Sequence, residues 1–197
     1  MKLLIAGRPG SGKGTQARRV SRALTVPHIS TGELLRDAIR RGTPAGLSAR
    51  ECVAAGRFVP DSLVNELVQR ELELRPTGER GFLLDGFPRN LDQLNALCLW
   101  LDPEHLDAAI ELTVSNDVVI ERLATRGRTD DTRAGVRERL RAFANDTAPA
   151  LEHLASLGLL ISIDAEQPAD AVTRDILEAL GVPGLRAADE APMAASN

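Results

Sequence analysis

The chain has 197 residues, 43% of them hydrophobic, and a formal net charge of −4. That length fits one domain with small insertions, and the apolar fraction is sufficient for a core. The acidic balance argues against the basic surfaces that hold nucleic acid or anionic lipid, and no apolar run approaches the ~20 residues of a membrane span or has the form of a leader, so neither partner is expected.

An apolar run at 2–6 predicts a buried strand. It leads into Gly7-Arg8-Pro9-Gly10-Ser11-Gly12-Lys13-Gly14-Thr15, and a helix is predicted over 13–24. Glycines let such a loop turn tightly with successive N–H groups facing inward, and the helix adds the positive end of its dipole at the same point. The cup suits a polyphosphate. Lys2 and Lys13 are the only lysines, against twenty-two arginines. A lysine at position 13 therefore stands out as a compact point charge for phosphate oxygens. Gly14 occupies the place where a P-loop usually carries the Mg²⁺-binding Ser or Thr, and Thr15 follows it.

A second strand is predicted over 26–29 and a helix from 30 to 41. In Ile29-Ser30-Thr31-Gly32-Glu33-Leu34-Leu35-Arg36, Ser30 and Glu33 fit a capping box. Arg36 lies one turn into that helix, where a cation is unfavourable for the dipole, and contact with a phosphate would explain it. Residues 30–60 hold more than one helix and no obvious strand, as a small helical insertion would. An amphipathic helix is predicted over 63–74. The third strand, 81–85, ends in Asp85 and continues as Gly86-Phe87-Pro88-Arg89. An acidic residue at an apolar strand end suits a Walker B role, holding Mg²⁺ through water. Asn90 is positioned to cap the next helix with Gln93 closing a capping-box-like arrangement, and this local role competes with base reading by Gln93.

A fourth strand is predicted over 108–114, then a helix over 116–125 with Asn116 as its N-cap. Arg122 and Arg126 share a face of that helix and would repel unless an anion lies between them. A short polar stretch, 126–133, precedes a helical pattern over 134–157 that breaks near Pro149. The fifth strand, 159–163, and a helix over 168–180 complete the pattern, and a tail at 181–197, rich in Ala, Gly and Pro, is expected to be disordered. Phosphoryl transfer spreads negative charge over oxygens, and Arg122, Arg126, Arg128 and Arg139 are candidates to stabilise it. Arg133, Arg137 and Arg141 are assigned to solvated faces. His28, His105 and His153 are scattered and read as structural. Cys52 and Cys98 lack paired spacing and read as reduced thiols of a cytoplasmic protein. Strands alternating with helices define an α/β fold: a P-loop three-layer architecture with a five-stranded parallel sheet.

Taken together, GxPGxGKGTQA at 7–17, ISTGELLR at 29–36, GRFVPDSLV at 56–64, GFLLDGFPRN at 81–90 with Gln93, and RxDDT at 128–132 resemble the adenylate kinase family. The match runs in order over residues 1–180. The resemblance implies reversible transfer from Mg-ATP to AMP, giving two ADP. It implies a core of 1–29, 61–122 and 134–180, an AMP-binding domain at 30–60 and a lid at 123–133. By position, Gly10, Ser11, Gly12, Lys13, Gly14 and Thr15 hold ATP phosphates. Arg126 and Gln167 also match ATP positions, and Arg122 a neighbouring one. Thr31, Arg36, Arg57, Phe58, Val59, Gly86, Phe87, Pro88, Arg89 and Gln93 match AMP positions. Arg128 and Arg139 match arginines on AMP and the transferred group. Mg²⁺ would be held through water near Thr15 and Asp85, with no direct protein ligand. Two cysteines exclude the four-cysteine zinc site of some relatives. Only Gly127 separates Arg126 from Arg128, where long-lid forms carry roughly thirty more residues, so the resemblance is to the shortest-lid bacterial enzymes, expected as monomers. Closure must then exclude water through the 30–60 insertion and the arginines. UMP/CMP kinases share the loop and the GFPRN string but usually carry Ala and Asn where Thr31 and Gln93 stand, so the pair implies AMP. A silent nucleotide-binding regulator is the alternative from another class.

Overall fold

The computed structural model describes residues 1–54, 59–74, 81–102, 105–126 and 132–182. Five parallel strands, β1 (Lys2–Gly7), β2 (His28–Ser30), β3 (Phe82–Asp85), β4 (Ala108–Thr113) and β5 (Leu160–Asp164), form one sheet in the order β2-β3-β1-β4-β5. Each predicted strand forms, with ends displaced by one or two residues. The strands are legible as continuous apolar runs because both faces of the sheet are covered. Leu4, Leu84, Ile29 and Ala109 belong to the core on one face, and Leu3, Ile5, Leu83 and Ile110 to the core on the other.

The helices among the described residues are α1 (Lys13–Leu24), α2 (Thr31–Arg40), α3 (Pro44–Ala54), α4 (Asp61–Leu74), α5 (Leu91–Leu101), α6 (Asn116–Arg126), α7 (Arg133–Ala142), α8 (Ala148–Ser156) and α9 (Ala169–Ala179). Residues of α1 and α9 cover the face that holds Leu3 and Ile5, and residues of α2, α4, α5 and α8 cover the other. Ile5 pairs with Asp85 and Ser30 pairs with Asp85, so the carboxyl ends of β1, β2 and β3 lie side by side. The chain leaves β1 toward one edge and crosses to the other after β3, which opens a crevice at those strand ends.

The 30–60 segment holds two helices, as expected. Thr43 Oγ1 accepts the Gly46 N–H at 3.1 Å and caps α3. A Cβ on Gly46 would stand 2.1 Å from the Ala38 carbonyl oxygen, so α2 and α3 meet backbone to backbone there. Gly46→Ala is expected to force them apart and destabilise the protein by about 1–3 kcal/mol, read as a lower urea midpoint with an unchanged slope.

Three local expectations are corrected. Ser30 stands at the N-cap of α2, but its side chain makes no capping bond. Its hydroxyl instead helps hold the neighbouring Asp85 ionised, and Glu33 faces Arg18 at 3.6 Å. Asn116 is the first helical residue of α6 rather than its cap, and its Oδ1 accepts from Arg8 Nη1 at 3.1 Å. The break expected near Pro149 is a π-helical turn, Phe143–Thr147, between α7 and α8. Pro149 has no N–H to continue the α-helical ladder, and the wider turn just before it absorbs the loss. Among the described residues, no helix is long and apolar enough to cross a membrane.

Candidate active site

The loop after β1 is shaped by its glycines. Gly10 (φ +83°) and Gly12 (φ +95°) adopt the left-handed conformation, and Gly12 ends the loop without a side-chain cap on α1. The Ser11 N–H donates to the Arg8 carbonyl at 3.1 Å. Arg8 reaches Val114 O at 3.1 Å as well as Asn116, tying the loop to the β4–α6 connection. Lys13 Nζ donates to Gly7 O at 2.8 Å and Arg8 O at 2.9 Å, so the ammonium lies over the loop.

Asp85 ends β3 opposite this loop and is buried. Burial pushes its carboxyl up. The neighbouring His28 imidazole, the charge of Lys13 and the nearby Ser30 hydroxyl outweigh that and hold it below the ordinary carboxylate value. The His28 Nε2 to Asp85 Oδ2 distance is 3.5 Å. Asp85 is therefore an anion at neutral pH, in the wall of a cleft that Lys13, Arg18, Arg36, Arg89, Arg122 and Arg139 also line, with Glu33 as the second carboxylate.

The next turn adds the cations. Gly86 (φ +82°) permits it, and a Cβ there would stand 2.8 Å from Thr31 Oγ1. Thr31 Oγ1 donates to Gly86 O at 2.9 Å, joining the start of α2 to this turn. The Phe87–Pro88 peptide is cis. Arg89 Nε donates to Gly86 O at 2.8 Å, and the Arg89 carbonyl accepts from Thr147 Oγ1 at 2.9 Å. Burial lowers the Arg89 pKa, Asp85 raises it, and the charges of Arg139 and Arg36 lower it further. It remains a cation at neutral pH. Three guanidinium groups thus crowd toward one point, an arrangement that an anion would stabilise.

These groups line one cavity of about 390 Å³, within the ~300–1,000 Å³ range of small-molecule sites. Its wall takes Gly10, Gly12, Lys13, Gly14 and Thr15 from the loop, and Thr31, Arg36 and Val59 from the helical insertion. Asp85, Gly86, Pro88, Arg89 and Gln93 come from the β3–α5 region, and Arg122 and Arg139 from α6 and α7. A Cβ on Gly32 would lie 3.2 Å from Arg36 Nη1, so the Arg36 guanidinium folds over the bare first turn of α2.

Three expected residues are not in that wall. Ser11 is buried with its hydroxyl against Gly7. Phe87 points into the core and stacks on Trp100 with ring centroids 6.0 Å apart. Gln167 turns its amide to Asp164 O at 3.0 Å and Asp175 Oδ2 at 2.6 Å. Arg122 Nη2 donates to Ala165 O at 2.8 Å. Arg57, Phe58, Arg128, the Arg126 side chain, most of the expected lid and the tail beyond Val182 lie outside the described residues.

Sequence reasoning missed Thr147 and Phe143, which the π-helical turn brings to the cavity, and Arg18 of α1. The Thr-Ala-Pro string at 147–149 was the available signal for the first two.

A glycine loop between strand and helix, its lysine, an acidic strand end and arginines converging on one cleft define a P-loop protein that handles nucleotide phosphates. Residues 5–159 match the family model described as adenylate kinase. The chain is 40% identical over 214 aligned positions to an adenylate kinase of Moorella thermoacetica, covering 92% of this chain and 98% of the relative. It is 41% identical to the enzyme of that name from Xanthomonas oryzae pv. oryzae, covering 92% and 100%. The Corynebacterium glutamicum adenylate kinase is also 41% identical, with 92% and 99% covered. The chain belongs to the adenylate kinase family. The 214 positions of the Moorella alignment exceed the 197 residues here, so that relative carries residues with no counterpart in this chain.

Proposed function

We infer that the chain catalyses reversible transfer of the terminal phosphoryl group from ATP to AMP, giving two ADP. The observation that carries the site assignment is the convergence of Arg36, Arg89, Arg122 and Arg139 on the cleft that the glycine loop and Lys13 open into. In this reading ATP phosphates lie on the loop, taking the Lys13 ammonium from the Gly7 and Arg8 carbonyls. Arg36 and Arg89 hold the phosphate of AMP. Arg139 and Arg122 face the group in transit, and Arg126 and Arg128 are assigned to the same charge by their match to the family's positions. No covalent intermediate is needed, because alignment of two bound nucleotides and neutralisation of the transferred charge lower the barrier. In the same reading Val59, the turn at Gly86 and Gln93 form the base slot, the Phe87 backbone flanks it, Arg57 and Phe58 are assigned to AMP by sequence position alone, and the backbone at Gln167 meets the base of ATP.

The donor set fits a water-clad Mg²⁺: Asp85 is held ionised in the cleft wall, and the Thr15 hydroxyl shares that wall. A bound Mg²⁺ would neutralise charge on the ATP phosphates. Asp85 would orient its waters, and a Ser or Thr at position 14 is not required for that.

The 30–60 segment serves as the AMP-binding lobe and 123–133 as a short lid. The extra residues of the Moorella relative agree with a lid shortened in this chain. We take the chain to act as a monomer, as the short-lid enzymes it resembles are expected to, and the free thiols Cys52 and Cys98 fit a cytoplasmic setting. Measuring ADP formation from ATP with AMP, CMP, UMP and GMP in parallel tests the assignment. AMP is expected to be the preferred acceptor. A preference for CMP or UMP would overturn the base assignment, and tight nucleotide binding without turnover would indicate a regulator.

A further inference from the structure

Gln93 carries the base-reading role above, and its side chain sits inside a closed ring of four hydrogen bonds. The Arg89 backbone N–H donates to Gln93 Oε1 at 2.8 Å. Gln93 Nε2 donates to Asp61 Oδ1 at 2.5 Å. Asn90 Nδ2 donates to Asp61 Oδ2 at 2.8 Å, and Asn90 Oδ1 accepts the Gln93 backbone N–H at 2.8 Å. In each of the four bonds a donor meets an acceptor, which defines the orientation of both amides. Asp61 is the first residue of α4, so the ring also joins that helix to the start of α5.

The ring leaves Gln93 partly available. Its NH₂ group has a second hydrogen and its carbonyl oxygen a second lone pair. In the held orientation the amide can donate to a ring nitrogen acceptor and accept from an adjacent amino group, which is the edge of adenine. A 6-keto purine presents the reverse pattern, an N–H beside a carbonyl. To meet it, the Gln93 amide must rotate by half a turn. Rotation would place its oxygen against the Asp61 carboxylate and its NH₂ against the Arg89 N–H, two mismatches in a buried site.

We propose that Asp61 is a specificity-determining positioning residue, which locks the Gln93 amide in the orientation that accepts AMP and rejects 6-keto purine monophosphates. The proposal rests on Gln93 reading the base. Counting mismatches grades the variants. In the wild type, the held orientation has none and the rotated one has two. With Asp61→Ala the rotated amide meets only the Arg89 N–H mismatch. With Asp61→Asn, the new amide has one oxygen to offer both Gln93 and Asn90. Each orientation of Gln93 then leaves one mismatch, and the preference disappears.

The test compares kcat/KM for AMP and for IMP as acceptors, with ATP as donor, in wild type, Asp61→Asn, Asp61→Ala and Gln93→Ala. The ratio of the two constants on one preparation is independent of the folded fraction, so a loss of stability alone leaves it unmoved. The AMP-to-IMP ratio is expected to fall at least about tenfold in Asp61→Asn and by less in Asp61→Ala. Gln93→Ala should also lower it. If Gln93→Ala lowers the ratio and neither Asp61 variant does, the lock is refuted while base reading by Gln93 stands. If Gln93→Ala leaves the ratio unchanged, base reading by Gln93 falls and the lock with it.

Discussion

Arg89→Ala should reduce phosphoryl transfer about 10³-fold, or about 4 kcal/mol of transition-state stabilisation, the lower end of what a phosphate-facing arginine contributes. The same change should leave the thermal midpoint unchanged or raise it. Arg89 is desolvated beside Asp85, and Arg139 and Arg36 crowd it. Removing the guanidinium loses contacts that include the 2.8 Å bond to Gly86 O and the attraction of Asp85, but relieves its desolvation and the repulsion among like charges, which together outweigh that attraction. A residue kept in such a place at the expense of stability has a partner of opposite sign during turnover. Paired melting and activity assays check this. Loss of stability in proportion to loss of activity would assign Arg89 to the fold instead.

Lys13→Met should lower kcat about 10²–10³-fold, the effect of deleting one preorganised donor to developing negative charge. Met keeps most of the length of the unbranched side chain and removes its charge and its donors. The KM for AMP should change little, because the proposed contacts to AMP are made by Arg36, Arg89 and Gln93 rather than by Lys13. Steady-state kinetics in each substrate separate the two effects. A near wild-type rate would refute the phosphate role of Lys13. A large rise in the KM for AMP with kcat intact would move Lys13 to the acceptor side.

The strands were legible because burial on both faces leaves uninterrupted apolar runs, and the loop was legible because its glycines and lysine are a local requirement of phosphate binding. Asp85 could be read from its place at a strand end. Side-chain partners were less legible. Ser30 had two options of similar local merit, the N–H groups of α2 and a neighbouring strand end, and parallel pairing of β2 with β3 brought Asp85 within reach. Gln93 shows the same point. Its backbone N–H takes the expected cap from Asn90, while its side chain goes to the Arg89 N–H and to Asp61, 32 residues away in sequence. The π-helical turn was visible only as a proline interrupting a helix. Its consequence, Thr147 holding the Arg89 carbonyl, needed the packing of α8 against the sheet.

The central claim is that one cleft holds both nucleotides, with the glycine loop and Lys13 at one end and Arg36 and Arg89 at the other. Titration with two adenosines joined by a five-phosphate bridge tests it most directly. One molecule should bind per chain, displacing both ATP and AMP, and either Lys13→Met or Arg89→Ala should weaken it. Two molecules bound per chain, or displacement of only one nucleotide, would contradict a shared cleft.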